Sequence, residues 1–192
     1  MKNKILITGT GRSGTSLLVK LFSHLHMETG FSINESNQID YAKCNAGLEI
    51  RDLTRKDVRI FKAPHFAIDI ENILKEKEGE IQHIIIPIRD LDSSAKSRER
   101  IGGDGYKAGG FFYCKNFQEQ RKMNAELIYS LFYNLSLTSI GYTLLPFPLF
   151  AKNSNIIYDR LKWLFEEYDI SFSDYNSVFD RVVDLSKVHF QK

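Results

Sequence analysis

The stretch from Lys4 to Leu18, KILITGTGRSGTSLL, constrains the fold more than any other part of the sequence. A short apolar run is followed by three glycines within six residues, and then by apolar residues at helical spacing. This order predicts a buried strand, a tight turn and a helix. Glycine permits positive φ angles, and backbone N–H groups at a helix N-terminus can bind an anion. We therefore expect this turn to bind a phosphate-like group.

The turn is close to the nucleotide-binding pattern GxxxxGK[ST], but it differs from that pattern at one position. Residues 9–16 read GTGRSGTS, so Thr15 stands where the pattern has lysine, and the cation of the turn is Arg12. A P-loop kinase or NTPase would lack the lysine that reaches the β- and γ-phosphates. Two further alternatives are a non-catalytic nucleotide-binding module and a glycine-rich turn that binds no ligand.

Strand and helix patterns alternate along the chain. Besides the first strand, apolar runs predict strands at 58–62, 81–88 and 142–147. Amphipathic spacing predicts helices at 15–27, 65–78, 91–101, 116–140, 153–168 and 173–185, with a short helix at 41–50. Residues 31–40 are expected to form a loop, and the glycine- and aromatic-rich residues 102–113 either a lid or acceptor wall or a simple connector.

This alternation predicts an α/β fold. The expected architecture is a three-layer sandwich around a central parallel sheet of about four to five strands, of the P-loop nucleotide-binding type. The 192 residues show no break in composition, so a single domain spanning residues 1–192 is expected.

Net charge, cysteine spacing and the lengths of apolar segments disfavour several classes of function. The net charge of +2 argues against a general nucleic-acid partner. Cys44 and Cys114 lack metal-binding spacing, which favours free thiols in a reducing compartment. The N-terminus lacks the apolar segment of a signal peptide, and the longest apolar stretch, at 142–151, is too short to span a bilayer. We therefore predict a cytoplasmic protein with no membrane partner and no metal.

A second anion-binding element is predicted at the end of the strand at 81–88. Arg89 follows that strand at its carboxyl end, where open α/β sheets bind ligands. Ser97 lies eight residues further on, about two turns along the expected helix. A guanidinium fork and a hydroxyl donor suit a phosphate. We expect Asp92 or Ser93 to cap this helix.

Taken in order, these motifs resemble those of the sulfotransferases that use 3′-phosphoadenosine 5′-phosphosulfate (PAPS), and small bacterial sulfotransferase-like proteins in particular. The segment Phe61-Lys62-Ala63-Pro64 is similar to a strand-K-x-P element of that family, whose lysine lies near the sulfuryl group. The resemblance implies that Arg89 and Ser97 bind the 3′-phosphate. It assigns the 5′-phosphosulfate to the turn, at Gly11, Arg12, Ser13, Gly14, Thr15 and Ser16.

The activity implied by the resemblance is transfer of a sulfuryl group from PAPS to a hydroxyl or amine of a small-molecule or glycan acceptor. Adenosine 3′,5′-bisphosphate would be the second product, and no metal would be required. Arg12 and Lys62 would stabilise the departing bridging oxygen. A hydroxyl acceptor needs a general base, for which Glu35, Glu49 and His65 are three open candidates.

Overall fold

The computed structural model describes residues 3–38, 47–99, 114 and 116–188. Within these residues a four-stranded sheet has the strand order β2-β1-β3-β4, and every neighbouring pair is parallel. The strands are β1 (Lys4–Ile7), β2 (Ile60–Lys62), β3 (Ile81–Ile88) and β4 (Gly141–Pro146). The predicted α/β class and parallel sheet are confirmed.

The helices connect these strands and cover the sheet. In the described residues the α-helices are α1 (Thr15–His24), α2 (Ile33–Asn37), α3 (Ile70–Lys77), α4 (Leu91–Glu99), α5 (Phe117–Ser136), α6 (Leu149–Lys152), α7 (Asn155–Arg160), α8 (Lys162–Glu167) and α9 (Phe172–Val182). Short 3₁₀ turns lie at Pro64–Ala67, Glu78–Glu80 and Leu185–Lys187.

Side chains of the sheet alternate between two apolar clusters, because successive strand residues point to opposite faces. Ile5 and Ile7 pack into a cluster with α1 and the helices α6 to α9. Leu6 packs into a second cluster with α3 and α5. Helices therefore flank the sheet on both faces, which is consistent with a three-layer arrangement.

Several predicted element boundaries differ from the structure. Strand β2 is three residues long, shorter than the predicted 58–62. The predicted helix at 65–78 begins as a 3₁₀ turn after Pro64 and becomes α-helical only at Ile70. The predicted helix at 153–168 is divided into α7 and α8 at Leu161, which caps one helix and precedes the next.

The region between the first two strands differs most from the sequence prediction. The expected loop at 31–40 contains α2, which begins with a capping box: Glu35 N–H donates to Ser32 Oγ, and Ser32 N–H donates to Glu35. Residues 47–50 of the predicted helix at 41–50 are not helical, and Gly47 and Leu48 have positive φ angles. Residues 41–46, Cys44 among them, and the predicted loop at 102–113 lie outside the described residues.

The N-terminal cap of α4 is also a correction. Asp90 Oδ1 accepts a hydrogen bond from the backbone N–H of Ser93 at 2.7 Å, so Asp90, rather than Asp92 or Ser93, caps this helix. Its carboxylate satisfies one of the N–H groups that a helix start leaves open.

The strand order determines where a ligand can bind. The chain leaves β1 towards β2 on one side and later returns to β3 on the other side of β1. The segments after β1 and β3 therefore emerge side by side at the carboxyl edge, where the direction of winding changes. No helix in the described parts of the chain is long and apolar enough to cross a membrane.

Candidate functional site

The turn after β1, residues 8–14, is held in an unusual backbone conformation. Gly11, Arg12 and Gly14 have φ angles of 72°, 58° and 88°. The left-handed region is uncommon for a residue with a side chain, and residues held in it are often found at functional sites. A Cβ atom on Gly14 would lie only 2.6 Å from the Phe150 ring and 2.7 Å from the Phe147 ring. The segment after β4 therefore fixes this turn in place.

Several donors at this turn have no acceptor among the described residues. The backbone N–H groups of residues 13–16 donate no hydrogen bond within that part of the chain. Ser13 Oγ is also buried there without a hydrogen-bond partner. Because buried polar groups are normally paired, this set of donors at the start of α1 suits an anion.

The structure joins the two predicted anion-binding elements. Arg12 Nε donates to Ser97 Oγ at 3.1 Å. Arg89 Nη1 donates to the carbonyl oxygen of Arg12 at 3.2 Å, and its guanidinium lies 5.4 Å from the centre of the Phe147 ring. Arg12, Arg89 and Ser97 are therefore brought together at the carboxyl edge of β1 and β3.

A third arginine, which sequence reasoning missed, belongs to the same group. Arg98 on α4 is 4% exposed, and a Cβ atom on Gly11 would lie 3.0 Å from its Nη2. Burial, together with the nearby charge of Arg12, lowers the pKa of Arg98 to about 9. A basic residue in the last turn of a polar helix gives no functional signal in sequence, since the helix dipole favours cations there.

Lys62, at the end of β2, approaches the turn from its other side. The side chain is buried, and Nζ donates to the carbonyl oxygen of Gly47 at 2.7 Å and to Ser16 Oγ at 3.3 Å. Glu49 Oε1 lies 3.5 Å from Nζ. Burial lowers the pKa of Lys62 to about 8, although the charge of Glu49 opposes this shift.

The three candidate bases lie in different surroundings in the structure. Glu49 lies beside Lys62 and also accepts from Arg51 Nη2 at 3.0 Å. Glu35 is exposed in the capping box of α2, where hydrogen bonds from Ser32 lower the pKa of its carboxyl group. His65 is exposed. It follows Pro64, which lies next to the turn: the Pro64 Cβ is 3.4 Å from the position that a Cβ on Gly11 would take. Glu49 is the carboxylate that contacts a residue of the site.

An apolar pocket adjoins the turn on the α5 side of the sheet. It is bounded by the first residues of the turn, the end of β3 and one face of α5, and the residues that line it include Gly9, Thr10, Pro87, Ile88, Leu127 and Phe132. Across the described residues, no group of three or more His, Cys, Asp or Glu side chains is arranged to hold a metal ion.

Together, the turn and its arginines form a candidate anion-binding site on a parallel α/β sheet. Comparison with protein-family models gives no match, and comparison with curated protein sequences gives no significant match.

Proposed function

We propose that this protein is a sulfotransferase that moves a sulfuryl group from PAPS to a hydroxyl or amine acceptor and releases adenosine 3′,5′-bisphosphate. The observation that carries the proposal is the meeting of two elements at one sheet edge. The glycine-rich turn, with its open N–H donors, lies within hydrogen-bond distance of the Arg89–Ser97 element. A nucleotide with anionic groups at both its 5′ and 3′ positions matches two adjacent cationic elements.

In this proposal the turn is of the P-loop type, and the two ends of the donor bind to different residues. Backbone N–H groups of residues 13–16 bind the 5′-phosphosulfate, and Arg89 and Ser97 bind the 3′-phosphate. Lys62 contacts Ser16 and so approaches the turn from the β2 side, whereas Arg12 contacts Ser97 on the α4 side. As in phosphoryl transfer, negative charge in sulfuryl transfer spreads over several oxygens in the transition state. Lys62 and Arg12 would stabilise this negative charge from two sides of the turn.

Glu49 is our choice of general base among the three candidates. It is next to Lys62 at the site, whereas the exposed Glu35 caps a helix. A general base must lie within hydrogen-bond reach of the acceptor proton, directly or through one water. The proposed acceptor therefore enters between Glu49 and the turn.

Two observations disfavour ATP or GTP as the substrate. Thr15 replaces the phosphate-binding lysine of the NTPase pattern. Asp90, the acidic residue after β3, accepts the Ser93 N–H bond that caps α4. A carboxylate in that role is engaged at the start of the helix.

The first test is ligand-dependent thermal stability. A ligand at a hundred times its Kd stabilises the folded state by about 2.7 kcal/mol, which corresponds to a Tm increase of about 5 to 10 °C for a chain of this size. We expect this increase with adenosine 3′,5′-bisphosphate in EDTA. An increase with ATP and magnesium only would support a kinase or NTPase instead.

The second test is transfer itself. The protein is incubated with sulfur-labelled PAPS and a panel of phenols, alcohols, amines and oligosaccharides, and labelled products are separated by chromatography. Acceptor-dependent labelling supports the proposal. Binding of the bisphosphate without labelling of any acceptor would favour a non-catalytic nucleotide-binding module.

A further inference from the structure

Arg98 lies beside the glycine-rich turn, although it belongs to neither sequence motif. It follows Ser97 on α4, and its Nη2 is so close to the Gly11 backbone that a Cβ there would be at 3.0 Å. Ser97 meanwhile accepts a hydrogen bond from Arg12. Two consecutive residues of α4 therefore lie beside two consecutive residues of the turn.

The cluster concentrates positive charge in a buried place. Arg89 and Arg98 are 8% and 4% exposed, and Arg12 is partly buried between them and Ser97. The lowered pKa of Arg98 reflects this burial and the charge of Arg12. A phosphate bound beside these groups would accept charged hydrogen bonds from them.

An independent observation points to a ligand in the adjoining turn. Ser13 Oγ, next to Arg12, is fully buried and has no hydrogen-bond partner among the described residues. A buried hydroxyl without a partner costs about 1 to 3 kcal/mol. An oxyanion bound at the turn would accept its hydrogen bond.

We propose that Arg98 is a third guanidinium ligand of the donor nucleotide and binds its 3′-phosphate together with Arg89 and Ser97. The inference rests on the proposed function for the identity of the nucleotide. It assigns Arg98 a role in specificity: a phosphomonoester dianion at the 3′ position is selected over a free 3′-hydroxyl.

Isothermal titration calorimetry on the full chain tests this assignment with two nucleotides. Adenosine 3′,5′-bisphosphate carries the 3′-phosphate and 5′-AMP lacks it. We expect Arg98→Met to weaken binding of the bisphosphate about tenfold to a hundredfold, the range for a charged hydrogen bond. Binding of 5′-AMP should change less than about threefold. The matched control is Lys96→Met, which removes one charge from the exposed side of α4 and should change neither affinity.

Other results of these titrations would contradict the assignment of Arg98. Equal weakening for both nucleotides, or no weakening for either, would overturn the role of Arg98 while leaving the proposed function standing. Failure of the wild-type protein to bind the bisphosphate would overturn both. If Arg98→Met does not fold, Arg98→Lys replaces it: at least about fivefold weaker bisphosphate binding is expected, since lysine lacks the bidentate fork, and unchanged affinity overturns the assignment.

Discussion

Arg12 combines a strained backbone with two contacts that cross the site. Its φ of 58° lies in the left-handed region, its Nε donates to Ser97, and its carbonyl oxygen accepts from Arg89. The left-handed conformation costs a residue with a side chain about 1 to 2 kcal/mol. The neighbouring contacts thus hold this guanidinium in one place.

Replacing Arg12 tests its proposed contribution to transfer. One preorganised charged contact in a site of this kind contributes roughly 3 kcal/mol or more. We therefore expect Arg12→Ala to lower the rate of transfer from labelled PAPS about a hundredfold or more. Arg181→Ala, an exposed change of the same kind on α9, is the control and should retain the wild-type rate. Near-normal turnover in the Arg12 variant would remove this residue from the mechanism.

Lys62 leads to a prediction about pH. Its pKa in the free protein is about 8, because burial disfavours the charged form. The ammonium is thus present below that pH and is lost as the pH rises through it. If the charged form stabilises the leaving group, kcat/KM should decline above about pH 8.

The variant Lys62→Arg checks this assignment, because arginine keeps its proton to a higher pH than lysine in the same place. Whatever the absolute kcat/KM of this variant, the alkaline decline in its pH profile should move to higher pH. A profile with the same alkaline decline in both proteins would assign that decline to another group.

For individual residues, the sequence indicated which ones lie at the candidate site better than it indicated which residues they contact. Motif spacing singled out Arg12, Arg89 and Ser97, and the resemblance to a strand-K-x-P element singled out Lys62; the structure brings all four to one sheet edge. It could not identify Arg98, since whether this arginine lies beside the turn together with Ser97 depends on how α4 packs. The contact between Lys62 and Glu49 likewise joins β2 to an irregular segment whose path has no sequence signature.

At the scale of elements, the turn and α1 depend on a segment far away in sequence. Gly14 is the N-terminal cap residue of α1, and the rings of Phe147 and Phe150 lie against it. The φ of 88° and the two rings both exclude a larger residue.

Gly14→Ala should therefore destabilise the protein. Backbone strain and overpacking together are expected to cost about 2 to 5 kcal/mol, a Tm decrease of about 5 to 15 °C. Gly79→Ala is the matched control: a Cβ atom there would meet open space among the described residues, so its Tm should stay close to that of the wild type. Similar Tm values for both variants, measured by differential scanning calorimetry, would contradict this account.

Helix α2 gives a test of Glu35. Glutamine can occupy the same place in a capping box, so Glu35→Gln removes the carboxylate but keeps the cap. We expect both Tm and the transfer rate to stay close to wild type.

By contrast, Glu49→Gln should lower the rate of transfer about a hundredfold or more if Glu49 is the base. Loss of transfer in the Glu35 variant with an unchanged Tm would instead make Glu35 the base.

Helices and strands could be predicted from the sequence where the apolar pattern of the segment matches the way it is buried in the fold. Strand β3 was predicted with its observed bounds, since a run that is apolar on both faces fits a central parallel strand. Helix α2 was missed although Ser32 and Glu35 form a capping box, because its five residues show little apolar periodicity. The break at Leu161 was missed because the apolar stripe continues through it.

At the scale of the whole molecule, the sheet separates two apolar clusters that share β1. Leu6 lies in one cluster and Leu18 in the other, and both are fully buried. If the chain is one cooperative domain, Leu6→Ala and Leu18→Ala should each cost about 2 to 5 kcal/mol. Each variant should still unfold in one transition, followed in parallel by far-UV and near-UV circular dichroism. Two separate transitions would contradict the single domain.

The packing of Gly14 against Phe147 and Phe150 has a consequence for how sequences of this kind can diverge. A side chain at position 14 would meet both rings, and the φ of 88° would strain it even if the rings were smaller. Smaller side chains at positions 147 and 150 therefore cannot be compensated by a larger residue at position 14. In an alignment of descendants of a common ancestor, position 14 should remain glycine even where positions 147 and 150, more than 130 residues away, change.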